Sequence, residues 1–461
     1  MKTLLLDIDS LRPDHIGAHG YARETTPHID SLAADGVRFE SAYVANSPCL
    51  PSRAALLTGR YGVDTGIVTH GPDSQSIEYP ATEKTNPWAG SWQDMVHSPS
   101  DWYTLSELSY HDQIHTVAVS SFPRHPAPWF HRTWHAFEYP QEPAGTDESF
   151  QTVRGEQVAD RVNAQIRRHA HEDFFLYAQF WDPHAPYNRS AAENEQFEST
   201  PTPPYPTAEQ IASHQSWETW RSATQMGITD RDSLQSLLNG YDAEIRYVDQ
   251  QIGTVFDALR QEGIYDETLI VLTADHGEEF GEHGAYREHW SVYDGTQRVP
   301  LIIKPPADEP VSRGKRTDLV VNVDIAPTIA DYAGLSMPDS WHGVSLRDSV
   351  AGRSELDRAH IVFEHGLYTA QRGIRTERWK YIETYDTGMW DEFVPIVQLF
   401  DCKDDPWEQH NCRDTHPDVC DELAAQLTKW KQTHVPERGD ALADLAQTGP
   451  AGNRWANKKL E

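Results

Sequence analysis

The sequence predicts an α/β protein: a mixed sheet sandwiched by helices over residues 1–352, then a smaller α+β domain over residues 353–461. Short apolar runs, several of them ended by charged clusters, alternate with amphipathic helical patterns, as in a sheet covered by helices. At 461 residues the chain is too long for one small core and suits one large domain with a lesser one. A polar stretch, Gly352-Arg353-Ser354-Glu355-Leu356-Asp357-Arg358, reads as the linker between them.

Taken in order, Leu4-Leu5-Leu6-Asp7-Ile8 reads as a buried strand ending in carboxylates. Thr26 to Gly36 follows helical spacing, with Ile29, Leu32 and Ala33 on one face and Gly36 as a stop. Phe174 to Phe180 predicts a central strand running into Asp182-Pro183-His184. Residues 236–263 predict a long amphipathic helix carrying Leu237, Tyr241, Ile245, Val248, Ile252 and Phe256 on one face. It leads to a strand, Leu269 to Leu272, that ends in Asp275-His276-Gly277, and Arg298 to Lys304 predicts another. Ligands gather at the carboxyl ends of strands in open α/β sheets, so the polar ends of three strands are expected to converge. Residues 72–103, rich in Pro, Ser, Trp and acid, and residues 186–225 read as long excursions that wall a pocket.

The net charge of −32 repels nucleic acid and anionic membranes, so neither partner is expected. Only 10 of the 39 basic residues are lysines, a balance that fits an ordinary acidic protein or one adapted to high salt. No run approaches the roughly 18–20 apolar residues of a membrane helix. The apolar start is short, lacks a basic flank and runs straight into Asp7, which reads as a strand and not a leader. The expected location is cytoplasmic, or an exported protein whose leader is absent from this sequence. Cys402, Cys412 and Cys420 crowd the C-terminal part without metal-binding spacing and read as buried thiols or one disulfide.

The most informative segment is Ser47-Pro48-Cys49-Leu50-Pro51-Ser52-Arg53. Pro51 suits the first helical turn, which places Cys49 at a helix N-terminus, where free N–H groups and the dipole favour an anion. A lone cysteine there is most often a packed thiol. Cys-x-Pro-Ser-Arg, continued by Leu56-Leu57-Thr58-Gly59-Arg60, is instead the signature of the sulfatases. The resemblance runs along nearly the whole chain. Asp9-Ser10-Leu11-Arg12-Pro13-Asp14 resembles the opening metal motif, Asp182-Pro183-His184-Ala185-Pro186-Tyr187 the mid-chain histidine motif, and Thr273-Ala274-Asp275-His276-Gly277 the second metal motif. Gly281-Glu282-His283-Gly284, Val323 to Thr328 and Arg378-Trp379-Lys380-Tyr381 are similar to later family stretches.

The resemblance implies an alkaline-phosphatase-like fold and hydrolysis of a sulfate ester, on a sugar or other small alcohol. It implies that a formylglycine-generating enzyme oxidises Cys49 to formylglycine, whose hydrate supplies the attacking oxygen. Arg53 is expected to hold that group in place, and Asp9, Asp275, His276 and residue 49 to bind one divalent cation. Calcium is the expected ion, with magnesium and manganese as alternatives. His184 fits the proton donor to the leaving alcohol, and His289 falls where many sulfatases place a sulfate-gripping lysine. The family's Lys-x-His motif is not visible, and Arg124 and His125 are the substitutes in that region. Many sulfatases carry two adjacent aspartates where this chain has Asp9-Ser10, and Asp7, on the same strand face, is either a stand-in ligand or structural. Loss of that carboxylate and the presence of His276 resemble the phosphonate monoester hydrolase branch, the alternative substrate class. Trp88, Trp92 and Trp102 offer faces that stack on sugar rings or simply pack a loop.

Overall fold

The computed structural model describes residues 1–70, 104–121, 127–131, 133–140, 153–198 and 202–452. At the centre of its eight-stranded sheet lies β1 (Lys2–Ile8), flanked in parallel by β6 (Phe174–Phe180) and β7 (Thr268–Thr273). With β2 (Val37–Tyr43), β4 (His115–Val119), β5 (Ala136–Glu138), β10 (Leu301–Lys304) and β11 (Gly314–Val321), the strand order is β11-β2-β10-β7-β1-β6-β4-β5. Strand β10 runs antiparallel to both neighbours, which makes the sheet mixed.

Alternation along β1 sends Leu4, Leu6 and Ile8 into one core layer, beneath helix α1 (Pro27–Asp35) and the helices Gly155–His169 and Arg231–Gln261. Leu5 enters the other layer with helix α2 (Cys49–Thr58) and the helix Ile325–Ala333. A strand covered on both faces is apolar throughout, which is why β1, β6 and β7 read as continuous hydrophobic runs. The same alternation points Asp7 at the α2 side, and this parity brings a carboxylate to Arg53.

The second sheet pairs β12 (Ile361–His365), β13 (Ala370–Arg375), β14 (Trp379–Asp386) and β15 (Val397–Asp401) in antiparallel fashion, with the helix Pro417–His434 packed on it. It recruits one strand from far away. Strand β3 (Asn46–Ser47) lies parallel to β12, with Asn46 opposite Glu364 and Ser47 opposite His365. Cys49 follows after Pro48 alone, so the smaller sheet holds the approach to α2.

The helix expected over 236–263 spans Arg231–Gln261, because Asp230 caps it by accepting the Ser233 N–H. The strand expected from Arg298 begins only at Leu301, since 294–297 form a helical turn and Pro300 has no N–H to offer a ladder. Among its described residues, the excursion at 186–225 carries three short helices, Ala191–Glu195, Ala208–His214 and Ala223–Met226. The excursion at 72–103 lies outside the described residues. All four cysteines are free, and among the described residues no helix is long and apolar enough to cross a membrane.

Asn46 ties β3 to β12 and to the short helix after α2: its amide donates to Glu364 Oε2 at 2.8 Å and its carbonyl accepts the Gly62 N–H at 2.7 Å. Asn46→Ala strands buried groups at a cost of roughly 1–3 kcal/mol each. Urea denaturation is expected to show a lowered midpoint, and an unchanged midpoint would show that these two bonds of Asn46 do not stabilise the fold.

Candidate functional site

Because β1 and β7 are parallel neighbours, their carboxyl ends deliver Asp9 and Asp275 side by side. Ser10 then turns the chain sharply, with φ of 61°, a left-handed conformation uncommon for a residue bearing a Cβ. Its N–H donates to Asp275 Oδ1 at 3.1 Å and its hydroxyl to Asp9 Oδ1 at 3.0 Å, so one residue pins both carboxylates. Tyr241 supports the turn from the long helix, donating its hydroxyl to the Ser10 carbonyl at 2.6 Å.

Arg53, one helical turn into α2, meets three carboxylates at once. Its Nε lies 2.8 Å from Asp7 Oδ2, Nη2 lies 3.1 Å from Asp9 Oδ2 and Nη1 lies 2.9 Å from Asp275 Oδ2, with all four side chains sealed from solvent. Ionised together, the three carboxylates against one guanidinium would carry a net charge of −2. Burial above all, and then the neighbouring Asp9 and Asp7, hold the Asp275 carboxyl well above the usual carboxylate range, with Arg53 opposing. A divalent cation would supply the positive charge that full ionisation of the three carboxylates lacks.

His276 completes the cluster. Its Nδ1 lies 2.8 Å from the Gly277 carbonyl oxygen, which only accepts, so Nδ1 carries the proton and Nε2 keeps a lone pair. That lone pair faces the Cys49 thiol at 3.1 Å. Burial, followed by the charge on His289, pushes the His276 pKa well down, which keeps the ring in its metal-binding form. One donor atom from each of Asp9, Cys49, Asp275 and His276 lies within 4.8 Å of the others. Oxygen-rich donors, a neutral imidazole oriented by a carbonyl, and three carboxylates against one guanidinium together fit a divalent cation. Cys49 itself is poorly placed to act as a thiolate: burial, then Asp9 and Asp275, raise its pKa well above the ordinary thiol value.

His289 stacks on His276 with ring centroids 4.1 Å apart. Burial works against its charge, but Glu288, with Nδ1···Oε1 at 3.3 Å, and Glu278 at 3.9 Å outweigh it and raise its pKa to about 9. His184 sits beside it, ring centroids 6.2 Å apart. Its Nδ1 donates to the Ala185 carbonyl at 2.6 Å, which leaves Nε2 as the nitrogen free to exchange a proton.

The structure thus brings Asp9, Cys49, Arg53, His184, Asp275, His276 and His289 to one place. Asp7 falls outside the four-residue donor group and serves Arg53 and the Tyr177 hydroxyl instead. Arg124, His125, Trp88, Trp92 and Trp102 lie outside the described residues. Sequence reasoning missed Glu278, Glu288 and Tyr177. Register carried a signal for Tyr177, which pairs with Leu5 two residues before Asp7. Glu288 also accepts from Trp220 Nε1 at 3.0 Å and from the Tyr368 hydroxyl at 3.1 Å, so the 186–225 excursion and the smaller domain both reach the site.

The Sulfatase family model matches residues 2–335, and a second, N-sulphoglucosamine sulphohydrolase C-terminal, matches residues 281–433. An arylsulfatase of Clostridium perfringens is 26% identical over 450 residues, covering 88% of this chain and 89% of its own. A Delta 4,5-hexuronate-2-O-sulfatase of Bacteroides thetaiotaomicron is 26% identical over 435 residues, covering 88% and 83%. Among solved structures, a 2-O GAG sulfatase superposes with a TM-score of 0.73 at 21% identity over 98% of this chain and 97% of its own. The phosphonate monoester hydrolase of Agrobacterium radiobacter gives 0.70 at 19% identity over 95% and 98%. The fold is alkaline-phosphatase-like, and the chain belongs to the sulfatase family. It is a sulfuric ester hydrolase.

In metal-free protein, NMR of the histidine rings is expected to show His289 charged at neutral pH and losing its proton as pH rises through about 9. Glu288→Gln removes the larger of the two opposing charges, so the titration should move to lower pH. A curve that stays in place would dissociate Glu288 from the charge of His289.

Proposed function

We propose that the site hydrolyses sulfate esters of sugars by way of formylglycine formed from Cys49, with one divalent cation held by Asp9, Asp275, His276 and residue 49. The observation that carries this reading is the buried donor group within 4.8 Å, with Cys49 as a member at the start of a sealed helix. Calcium suits the carboxylate oxygens, and the imidazole of His276 makes manganese the strongest competitor over magnesium. When bound, the cation supplies Lewis acidity to the ester oxygens. A hydrated aldehyde supplies an oxygen nucleophile that, unlike serine, releases sulfate by collapsing back to the carbonyl.

The protein's own groups do the rest. Arg53, fixed by three carboxylates, keeps a positive charge beside residue 49. The N-terminus of α2 favours the sulfate's negative charge, and protonated His289 grips the same group. As the sulfur–oxygen bond to the alcohol breaks, the departing oxygen takes a proton from His184 Nε2. A sugar sulfate is favoured by the hexuronate sulfatase among the relatives, and maturation requires a formylglycine-generating enzyme. His276 and Ser10 favour the alternative, a phosphonate monoester or phosphodiester hydrolase on the same scaffold, and relative turnover of a nitrophenyl sulfate and a nitrophenyl phosphodiester decides between the two.

Active protein is expected to lose about 18 Da at the Cys49 peptide, the mass change from cysteine to formylglycine. Cys49→Ala should be inactive yet folded. Full activity in protein carrying only the thiol would refute the mechanism.

General acid catalysis contributes roughly 10²–10⁴-fold where the leaving group is a poor one. His184→Ala should therefore damage turnover of an alkyl or sugar sulfate far more than that of nitrophenyl sulfate, whose leaving group needs little protonation. Equal losses on both substrates would remove His184 from the donor role.

A further inference from the structure

At the end of the large sheet away from Cys49, the chain gathers histidines that sulfate hydrolysis does not use. His115 opens β4 and is in register with Phe174, which in turn is level with Lys2 on β1. Asp9 lies seven residues further along β1, so roughly 20 Å separates the two places at about 3.3 Å per residue. His169 ends the helix Gly155–His169, and Glu172 follows three residues later.

One donor atom from each of His115, His169 and Glu172 lies within 4.8 Å of the others. The His115 and His169 rings stack with centroids 4.0 Å apart, and His169 is only 7% exposed. His169 Nδ1 meets Glu172 Oε1 at 2.5 Å, a carboxylate set directly against the imidazole. The Nε2 of His115 is buried and has no hydrogen-bond partner among the described residues. His135 stacks on His115 as well, but its Nδ1 accepts the Thr116 N–H, so its own proton sits on Nε2 and it offers no free lone pair.

Stacked histidines on a surface are often packing and nothing more. Here a buried nitrogen stays unsatisfied, which carries a desolvation penalty, while a second imidazole and a carboxylate stand within reach. Burial first, then the charges of His169 and His135, lower the pKa of His115, and neutral imidazole is the ligating form.

We propose that His115, His169 and Glu172 form a second, structural site for a zinc-class transition ion, with water as the fourth ligand. Two imidazoles and one carboxylate suit such a borderline cation, unlike the harder ion expected at Cys49. Zinc–ligand bonds of about 2.0–2.2 Å set neighbouring donors about 3.4 Å apart, so the contact between His169 Nδ1 and Glu172 Oε1 must open from 2.5 Å as the ion enters. Rotation of the His115 ring and movement of Glu172, whose side chain is 52% exposed, supply that freedom. The ion would join the start of β4 to the end of the helix that packs on it.

Zinc chloride titrated into the full chain, with calcium in excess, is the test. Wild type is expected to bind one more zinc per chain than His115→Gln or His169→Gln, and zinc should raise the melting temperature of wild type alone. Activity on nitrophenyl sulfate, unchanged in the variants, shows that they are folded. If His169→Gln does not fold, Glu172→Gln at an exposed position carries the test, with zinc affinity expected to fall roughly tenfold or more. Equal zinc stoichiometry in wild type and both histidine variants, or unaltered affinity in Glu172→Gln, would overturn the proposal.

Discussion

A single guanidinium set among three carboxylates is the constraint on which the rest of the molecule depends. Arg53 is sealed from solvent, and so are Asp7, Asp9 and Asp275. Buried charges are tolerated only when paired, and a buried arginine without its partners is strongly destabilising. The ends of β1 and β7 and the first turn of α2 must therefore close on one another. Their closure also gathers more carboxylates than cations. One guanidinium answers one carboxylate in charge, and full ionisation of the other two calls for a divalent cation at the position where Cys49 and His276 meet.

More distant parts of the chain maintain this arrangement. Two residues of β3 belong to the smaller sheet and lead through Pro48 into Cys49, so the angle at which α2 enters is set by packing against β12. Glu288 collects hydrogen bonds from Trp220 in the excursion and from Tyr368 in the smaller domain, then supports the charge of His289. Arg12 reaches across from the end of β1 to Glu282 at 2.7 Å and to the Glu278 carbonyl at 2.8 Å, fixing the loop that carries His276. The smaller domain is thereby part of the site and not only a neighbour of it.

Much of this was legible in the sequence. Strands Phe174–Phe180 and Leu4–Ile8 follow from apolar runs too short for helices, and Ile29, Leu32 and Ala33 face the core as their spacing requires. Asp9, Cys49, Arg53, Asp275 and His276 stand in motifs whose residue types carry their chemistry. What was not legible depends on three-dimensional accident or on unread signals. The left-handed turn at Ser10 has no glycine to announce it, and β3 is a two-residue strand whose partner lies more than 300 positions away. The short helices at 191–195 and 208–214 did announce themselves: Ser190 with Glu193 and Thr207 with Gln210 form capping boxes within a stretch read as loop.

The central question is whether the buried carboxylates around Arg53 hold one divalent cation. Calorimetric titration of calcium into chelator-stripped protein measures this without recourse to activity. Wild type is predicted to bind one ion per chain, and Asp275→Asn, which removes a carboxylate ligand, to lose that binding. Absence of any calcium or manganese binding by wild type, or equal binding by Asp275→Asn, would contradict the account.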